Sequence, residues 1–230
     1  MKSVGIIGGL GPETTSEFYL DVIFSCYQKD RSARPSIVIA SVPLLYQIEE
    51  DLIMKNEGAE RYIPFLVKEA QRLEKAGVDF IVMPCNSLHV FIEDIRSSVK
   101  IPVLSIVEET VKFMKENNFK RVGIVSTSAT IKNKLYENAF QANDILYETP
   151  NELEQEKMGK FIHNLVMGQQ NNKDREELVK IIDGFENKQV DCVALACTDL
   201  QLLIPKHQNL KIFDTMKILA DATVREILGK

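Results

Sequence analysis

The sequence lacks several features that define common classes of protein. None of its apolar runs approaches the roughly 18 residues that a bilayer-spanning helix needs. The first residues, Met1 to Ser3, lead directly into a strand-like segment rather than a signal peptide. The net charge is -5, and the sequence has no dense cluster of Lys and Arg that would favour binding to nucleic acid. These absences predict a cytoplasmic protein that binds neither membrane nor nucleic acid.

Cysteine and histidine are also scarce. The four cysteines are too few and too widely spread for a disulfide framework, so we expect free thiols in a reducing compartment. Zinc sites usually need Cys-x-x-Cys pairs or nearby histidines, and the spacing from Cys192 to Cys197 does not provide them. His163 and His207 belong to no recognisable group of ligands. The sequence therefore predicts no metal site.

The composition is that of an ordinary soluble globular protein, with 230 residues, 45% of them hydrophobic and 27% charged. Apolar strand-like runs alternate with segments whose apolar residues follow the 3.6-residue helical period. The strand-like runs are continuous rather than alternating, as expected for parallel strands covered on both faces. This pattern predicts an α/β fold. The predicted strands are residues 3–7, 36–41, 80–83, 103–106, 122–126, 192–195 and 211–213, and the predicted helices are residues 14–28, 59–76, 106–117, 131–143, 152–167, 175–187 and 215–228.

The sequence contains an internal repeat. "VDFIVMPCNS" at residues 78–87 and "VDCVALACTD" at residues 190–199 share Val-Asp, an apolar run, and a cysteine followed by a small polar residue. Two further pairs match in the same order, "VGIIGGLGPETT" with "VGIVSTSATI", and "VKIPVL" with "LKIFDT". The repeat predicts two pseudo-symmetric lobes, each a parallel-sheet βα sandwich. We expect the lobes to comprise residues 1–105 and 106–214, with the C-terminal helix 215–230 packing back on the first.

The repeat ends on Cys85 and Cys197, and this placement suggests a chemistry. Ligands of open parallel sheets collect at the carboxyl ends of the strands, so two facing lobes would place these cysteines on opposite walls of one active-site cleft. A base on one face of a carbon and an acid on the other can remove a proton and return one from the opposite side, which is racemisation. An unperturbed thiol with a pKa of about 8.5 is only about 3% ionised at pH 7, and roughly 2 kcal/mol would lower that pKa to about 7. A helix N-terminus can supply energy of that order.

Residues near the cysteines are candidate ligands. Asn86 and Thr198 directly follow them, as helix caps or as ligands of a substrate carboxylate. The small residues of "GGLGPETT" and "STSAT" would let a carboxylate approach backbone N–H groups closely. A nucleotide-binding loop is an alternative for the glycines, although G-G-L-G-P lacks the G-x-G-x-x-G pattern. His89, one helical turn past Cys85, either forms local hydrogen bonds or touches the substrate, whereas Cys26 and Cys192 are predicted packing residues.

The motifs "GGLGPETT", "MPCNSLH", "GIVSTSAT" followed by "LYENAF", and "ALACTDLQLLI" occur in this order over nearly the whole chain. With them the sequence resembles the cofactor-independent aspartate/glutamate racemase family. The resemblance implies a pseudo-symmetric two-domain α/β fold, an amino-acid substrate, no pyridoxal phosphate or metal, and often a dimer. It implies that Cys85 and Cys197 are the catalytic acid/base pair. The substrate-binding residues that it implies are Gly9, Gly11, Thr14, Asn86, Ser87, Thr127 and Thr198, with Ser87 standing where threonine is usual.

The sequence departs from the family at the positions expected to bind an acidic side chain. Family members that act on acidic amino acids commonly carry a basic residue after the second strand and a lysine before the glycine that ends a helix of the second lobe. Here residues 42–51 contain no Arg or Lys and include Gln47, and Met167 precedes the glycine. The functions left open are an amino-acid racemase, a related isomerase, decarboxylase or hydantoin racemase, and a binding protein without turnover. The basic residues that remain for an acidic substrate are Lys55, Arg61, Lys160 and His163.

Overall fold

The structure is a computed structural model that describes residues 1–52, 57–166, 169, 172–198, 200 and 207–229. The chain divides into two compact units, one formed by Met1–Glu109 with Met216–Lys230 and the other by Thr110–Thr215. Each unit contains a parallel β-sheet accompanied by helices, so the predicted α/β class is confirmed. Within the described residues, no helix combines the length and the apolar character needed to cross a membrane.

The sheet of the first unit has the strand order β2-β1-β3, with β1 at Val4–Gly8, β2 at Ile37–Ser41 and β3 at Phe80–Val82. All pairs are parallel. Every residue of β1 and β3 is buried, which explains why both segments are continuous apolar runs. A single parallel bridge joins Ile81 of β3 to Val103.

Helices and 3-10 turns connect these strands. The loop after β1 enters α1, which begins with a proline whose missing N–H is tolerated in the first helical turn. Leu66, Ala70 and Leu73 recur on one face of α3 and are buried in the core of this unit, which gives the helix its strong amphipathic pattern. The helices are α1 (Pro12–Lys29), α2 (Tyr46–Glu50), α3 (Ile63–Lys75), α4 (Ile92–Ser98) and α5 (Ile106–Glu116), with 3-10 helices at Ala59–Tyr62 and Ser87–Phe91.

The sheet of the second unit has the strand order β5-β4-β6-β7 and is also parallel. Its strands are β4 (Arg121–Ser126), β5 (Leu146–Glu148), β6 (Cys192–Ala196) and β7 (Lys211–Asp214). In the core of this unit, the apolar sides of the helices at residues 152–166 and 172–186 pack against the sheet. Met158 of the first helix and Leu178 and Phe185 of the second are among the buried residues. The helices that begin in this unit before β7 are α6 (Ser128–Lys132), α7 (Leu135–Gln141), α8 (Glu152–Val166) and α9 (Asn172–Glu186). The last helix, α10 (Thr215–Leu228), belongs to the first unit from Met216 onwards.

The internal repeat of the sequence is visible in the two topologies. In each unit the first strand lies between the second and third strands, as β1 does between β2 and β3 and β4 does between β5 and β6. Val193 of β6 pairs with Ile212 of β7, and the equivalent residue Ile81 of β3 pairs with Val103. The bridge at Val103 is therefore the counterpart of β7, shortened to one residue.

The repeated aspartate has the same structural role in both units. Asp79 Oδ2 accepts hydrogen bonds from the backbone N–H of Ser3 at 2.6 Å and from the Ser3 hydroxyl at 2.7 Å. Asp191 Oδ2 accepts from the N–H groups of Lys120 at 2.6 Å and Arg121 at 2.9 Å. Each aspartate thereby ties the start of its own strand to the start of the neighbouring strand, at the sheet edge opposite to the cysteine.

Several element predictions need correction. The predicted strand 103–106 is wrong, because only Val103 forms a bridge and Ile106 begins α5. The predicted helix 131–143 is two helices, since Lys134 adopts a left-handed conformation (φ 49°) that ends the first one. The short elements α2, α4 and β5 were not predicted. The predicted helix 152–167 ends at Val166 among the described residues, and Met167 lies outside them.

Candidate active site

Cys85 lies just beyond the carboxyl end of β3 and is buried, with 9% of its surface exposed. Its backbone N–H donates to the Met83 carbonyl at 2.9 Å, which turns the chain away from the strand direction. Asn86 is 2% exposed and precedes the 3-10 helix, yet its side chain makes no capping hydrogen bond to that helix. Of the two roles suggested for Asn86, the cap is therefore wrong. Ser87 begins the 3-10 helix.

His89 lies one turn further on and is 1% exposed. Its Nδ1 is 2.5 Å from the Cys85 carbonyl oxygen, and its Nε2 accepts a hydrogen bond from the Ile106 N–H at 3.1 Å. Burial lowers the pKa of His89 to about 4, so the ring is neutral at physiological pH. Of the two roles suggested from the sequence, the structure supports local hydrogen bonding.

The glycine-rich loop after β1 is held by a hydroxyl. The Gly9 N–H donates to Thr15 Oγ1 at 2.9 Å, and this hydroxyl donates to the Gly11 carbonyl at 2.9 Å. Gly9 has a φ of 81°, and a Cβ there would lie 2.6 Å from Ser41 Oγ. The conformation of this loop therefore requires glycine at this position. The hydrogen bonds of Thr15 were not predicted, and the candidate Thr14 beside it is buried.

Strand register brings the predicted residues of the first unit to one edge. Ile6 of β1 pairs with Val82 of β3. Gly9 lies three residues after Ile6, and Cys85 lies three residues after Val82. Both residues are therefore at the carboxyl edge of the same sheet. This is the edge at which parallel sheets collect ligands.

The second unit carries the corresponding arrangement. Ser126 of β4 pairs with Ala196 of β6, so Thr127 and Cys197 both follow directly at the carboxyl edge of adjacent strands. Cys197 is 3% exposed and Thr198 is 5% exposed. Each sheet therefore has one buried cysteine at its carboxyl edge, beside the loop that follows the central strand.

The hydroxyl of Thr127 caps a helix. Thr127 is the N-cap of α6, and its Oγ1 accepts a hydrogen bond from the Thr130 N–H at 3.2 Å. The Thr130 hydroxyl, which is buried, lies 3.0 Å from Thr127 Oγ1. These contacts hold Thr127 Oγ1 at the end of β4. Threonine is a preferred residue at such a helix N-cap.

Gln155 is a residue at this edge that sequence reasoning missed. Its Nε2 reaches from α8 to donate to the Ser126 carbonyl at 2.9 Å, directly before Thr127. Its Oε1 is buried and has no hydrogen-bond partner in the described part of the chain. Nothing in the spacing of "ELEQEK" distinguishes Gln155 from its neighbours, because the contact spans 29 residues.

The other two cysteines lie in cores. Cys26 and Cys192 are both fully buried, and burial raises the pKa of both thiols, that of Cys192 to about 12. Cys192 Sγ lies 3.7 Å from Met114 Sδ within the second unit. Both side chains have the surroundings expected of packing residues.

Of the basic residues considered for an acidic substrate, Arg61 is neutralised by an ion pair. Arg61 forms an ion pair with Asp51 at 2.8 Å, and Gln47 donates to the same carboxylate at 3.1 Å. Lys160 is exposed and His163 is partly exposed on α8. Lys55, like Met167, lies outside the described residues.

A cluster of one histidine and two acidic residues, which we call the His207 cluster, occurs in the second unit and was not predicted from the sequence. Ligand atoms of Asp183, Glu186 and His207 lie within 4.8 Å of one another, which is close enough to hold a metal ion. However, His207 Nδ1 accepts the N–H groups of Asn209 at 3.2 Å and Leu210 at 3.0 Å. The proton must then be on Nε2, which lies 2.9 Å from Asp183 Oδ1. The cluster is therefore explained by a hydrogen bond from His207 to Asp183.

Comparison with solved structures places this fold among amino-acid racemases. The crystal structure of an aspartate racemase homologue from Pyrococcus horikoshii OT3 is similar, with a TM-score of 0.82, 26% identity and coverage of 100% of both chains. The aspartate racemase of Picrophilus torridus has a TM-score of 0.81 and 26% identity, over 99% of this chain and 94% of that chain. The two-lobed α/β fold predicted from the repeat is that of these proteins.

Sequence comparison defines the family. The model of the Asp/Glu/hydantoin racemase family matches residues 7–223, so the chain belongs to this family. It is also 28% identical over 236 aligned residues to the broad specificity amino-acid racemase RacX of Bacillus subtilis (strain 168), with 98% of each chain covered. The resemblance inferred from the motifs is thereby confirmed.

Proposed function

We propose that this protein is an amino-acid racemase that uses Cys85 and Cys197 as an opposed acid/base pair, without pyridoxal phosphate or a metal. The observation that carries the proposal is the repeat-equivalent placement of the two thiols. Each is buried beyond the carboxyl end of a parallel strand, at the sheet edge that also carries the loop after the central strand. Membership of the racemase family supports the same chemistry.

In the proposed reaction one cysteine is a thiolate and the other is a thiol. The thiolate takes the α-proton, the Cα–H bond breaks, and its electron pair is delocalised into the substrate carboxylate. The opposite thiol then gives its proton to the other face of the carbon, so that the configuration inverts and the two sulfurs exchange roles. Racemisation therefore requires both thiols to reach one α-carbon, and this requirement is part of the proposal.

The substrate carboxylate needs hydrogen-bond donors because negative charge develops on it during proton removal. We assign this role to Asn86 and Thr198, which directly follow the cysteines, and to Thr127, Ser87 and the Gly9 to Thr14 loop. Asn86 and Thr198 are buried, so a hydrogen bond from either to a developing charge is less screened by water than at the surface. These assignments follow the family motifs and the sheet edges on which the residues lie.

We further propose that the substrates are not limited to aspartate and glutamate. Arg61, one of the basic residues considered for an acidic side chain, is paired with Asp51. Gln47 occupies the region where acid-specific members commonly have a basic residue. The name of the Bacillus subtilis relative, a broad specificity amino-acid racemase, agrees with a relaxed requirement at the side chain.

The test is α-hydrogen exchange in deuterated water, followed by proton NMR with reducing agent and no added cofactor. The panel includes both enantiomers of aspartate, glutamate and several neutral amino acids, together with hydantoins, which the family name includes. We expect exchange with several amino acids and a loss of racemisation in Cys85→Ser and Cys197→Ser. Cys26→Ala, which alters a buried thiol on α1 instead, serves as the matched control and should keep its activity.

Full racemisation by both serine variants would refute the two-thiol mechanism. Tight amino-acid binding without any exchange would favour the binding protein, and exchange with hydantoins alone would favour a hydantoin racemase. A location in the cytoplasm and assembly as a homodimer stay predictions, and the solution mass tests the second.

A further inference from the structure

The side chain of His89 connects the Cys85 turn to a distant part of the first unit. One ring nitrogen contacts the Cys85 carbonyl and the other accepts the N–H of Ile106, which is the first residue of α5. The ring is 1% exposed, so water does not compete for either nitrogen. One imidazole thus joins two backbone segments. Cys85 is 4 residues from His89 along the chain, and Ile106 is 17 residues from it.

The partners of the ring fix its tautomer. A backbone N–H can only donate, so Nε2 must be the acceptor of the bond from Ile106. The proton of the neutral ring is therefore on Nδ1, which donates it to the Cys85 carbonyl. Protonation of Nε2 would place two donors face to face in a buried site, which is unfavourable. Both nitrogens are engaged by the backbone, and neither is left for a thiol or a substrate.

The segment that contains Ile106 is itself firmly held. Pro102 and Leu104 flank Val103 and exchange backbone hydrogen bonds with Ile81 of β3 at 2.9 and 3.0 Å. Arg96 donates to the Val103 carbonyl at 3.1 Å and to both oxygens of Glu108 at 2.8 and 2.7 Å. The charged groups that act on the His89 ring are this Arg96 and this Glu108, which are paired with each other.

We propose that His89 is a neutral positioning residue that holds the Cys85 main chain, and so the thiol, against the fixed start of α5. This inference rests on the proposed function of Cys85, although its geometric part can be tested without turnover. His89 neither carries a proton to the substrate nor supplies a charge to the thiolate. Its effect is on where the sulfur lies.

Three substitutions separate the two hydrogen bonds. His89→Asn places an amide N–H near the position of Nδ1 and keeps a donor for the Cys85 carbonyl, while it loses the acceptor for Ile106. His89→Gln places its amide oxygen near the position of Nε2 and keeps the acceptor, while it loses the bond to Cys85. His89→Phe keeps the ring shape and loses both bonds. Thr223→Val is the matched control, since it removes another buried side-chain hydrogen bond to a carbonyl of the first unit, that of Leu219.

The first measurement is racemisation kinetics. We expect kcat to fall by about 10- to 100-fold in all three His89 variants, because each breaks the link between Cys85 and α5 and small displacements of a reacting group have effects of this size. His89→Asn releases the ring position from α5 and should therefore lose kcat as His89→Gln does, KM should change little in all three variants, and Thr223→Val should match the wild type. A wild-type kcat in folded His89→Asn or in folded His89→Gln would overturn the proposal, because each variant breaks one end of the link.

The second measurement is alkylation of each cysteine, resolved by peptide mass spectrometry over a range of pH. Cys85 should react faster in all three His89 variants, where its turn is released from α5, while Cys197 should be unaffected. The pH midpoint for Cys85 should stay within about half a unit of the wild type, because a neutral ring does not stabilise a thiolate. An unchanged Cys85 rate in folded His89→Gln, or a midpoint raised by about one unit or more, would overturn the proposal.

The two measurements distinguish failure of this inference from failure of the proposed function. If the wild type does not racemise any substrate, the proposed function fails and the alkylation rates alone decide the role of His89. If the wild type racemises and Cys85 reacts identically in every variant, the racemase assignment stands and the positioning role is wrong.

Discussion

Alanine substitution at Gly9 should affect stability and activity more than the same substitution at Gly77. The two glycines have similar positive φ angles, 81° at Gly9 and 79° at Gly77. Their surroundings differ, since a Cβ at Gly77 would meet no atom within 4 Å. A Cβ at Gly9 would lie 2.6 Å from Ser41 Oγ and 3.0 Å from the backbone nitrogen of Val42. Gly77→Ala therefore measures the free-energy cost of placing a non-glycine residue at a positive φ, without a steric clash.

The structure gives the expected magnitudes. An L-residue in the left-handed region costs about 1–2 kcal/mol, which should be the whole effect of Gly77→Ala. Gly9→Ala adds a contact that the Ser41 hydroxyl can partly relieve by rotation. The contact with Val42 is harder to relieve, because the Val42 N–H donates to the Gly8 carbonyl at 2.9 Å. Such overpacking typically costs about 1–3 kcal/mol more.

Thermal unfolding followed by circular dichroism measures the difference. For a chain of this length each kcal/mol shifts Tm by about 2–4 °C, so Gly9→Ala should unfold at least about 2 °C below Gly77→Ala. Racemisation should be reduced in Gly9→Ala and unchanged in Gly77→Ala, because the hydrogen bond from Gly9 to Thr15 shapes the candidate site. Equal Tm values for the two variants would refute the steric argument.

Three further predictions concern charge and thiol chemistry. Hydrogen bonds from Ser3 lower the pKa of Asp79 below its ordinary 3.8, so they stabilise the fold fully above about pH 4 and are lost as the pH falls through the lower folded pKa. Urea unfolding should accordingly show Asp79→Asn less stable than wild type at pH 7, with a difference that shrinks in acid; a constant difference would contradict this. Cys192, whose pKa burial raises to about 12, should resist alkylation at pH 8 until the protein is unfolded, and fast modification in the native state would contradict its burial in the core. Chelators and Asp183→Asn should leave racemisation intact, and a loss that added metal restores would show that the His207 cluster binds an ion.

The sequence was most informative where local pattern and burial coincide. Strands β1, β4 and β6 are continuous apolar runs that are almost wholly buried, and each was predicted to within a residue or two. Strand β5 was missed because it lies at the sheet edge with Leu146 57% exposed and Tyr147 38% exposed. A three-residue edge strand has no apolar period to detect, and its pairing with β4 is decided by tertiary structure.

The break between α6 and α7 shows a different limit. No glycine or proline separates the two helices, and the apolar residues around the break continue the helical pattern. The chain nevertheless adopts a left-handed conformation at Lys134, where glycine would be the usual residue. Local propensity alone does not predict this turn.

The sequence suggested residues for the candidate site but not the contacts that surround them. The repeat singled out Cys85 and Cys197, because a cysteine at the same place in both copies needs a reason beyond packing. The partners of His89 and Gln155 lie 17 and 29 residues away along the chain, and only the fold brings them together. Sequence spacing can place a side chain on a turn, but it cannot say which backbone groups that turn will meet.

The two ends of the repeated motif have different roles: the aspartate end is structural, and the cysteine end is the one for which we propose a chemical role. Its aspartates, Asp79 and Asp191, join strand starts at the amino edge of each sheet, and each accepts the N–H of the residue that precedes the repeated Val-Gly pair of its unit, Ser3 or Arg121. Its cysteines lie at the carboxyl edge, where the surroundings differ, since Cys85 is followed by a histidine-held turn and Cys197 by a threonine. Two thiols that alternate as acid and base need the same framework but act on opposite faces of a chiral carbon. Equivalent anchors at the strand starts, with different surroundings at the two cysteines, are what the proposed mechanism would require of a duplicated chain.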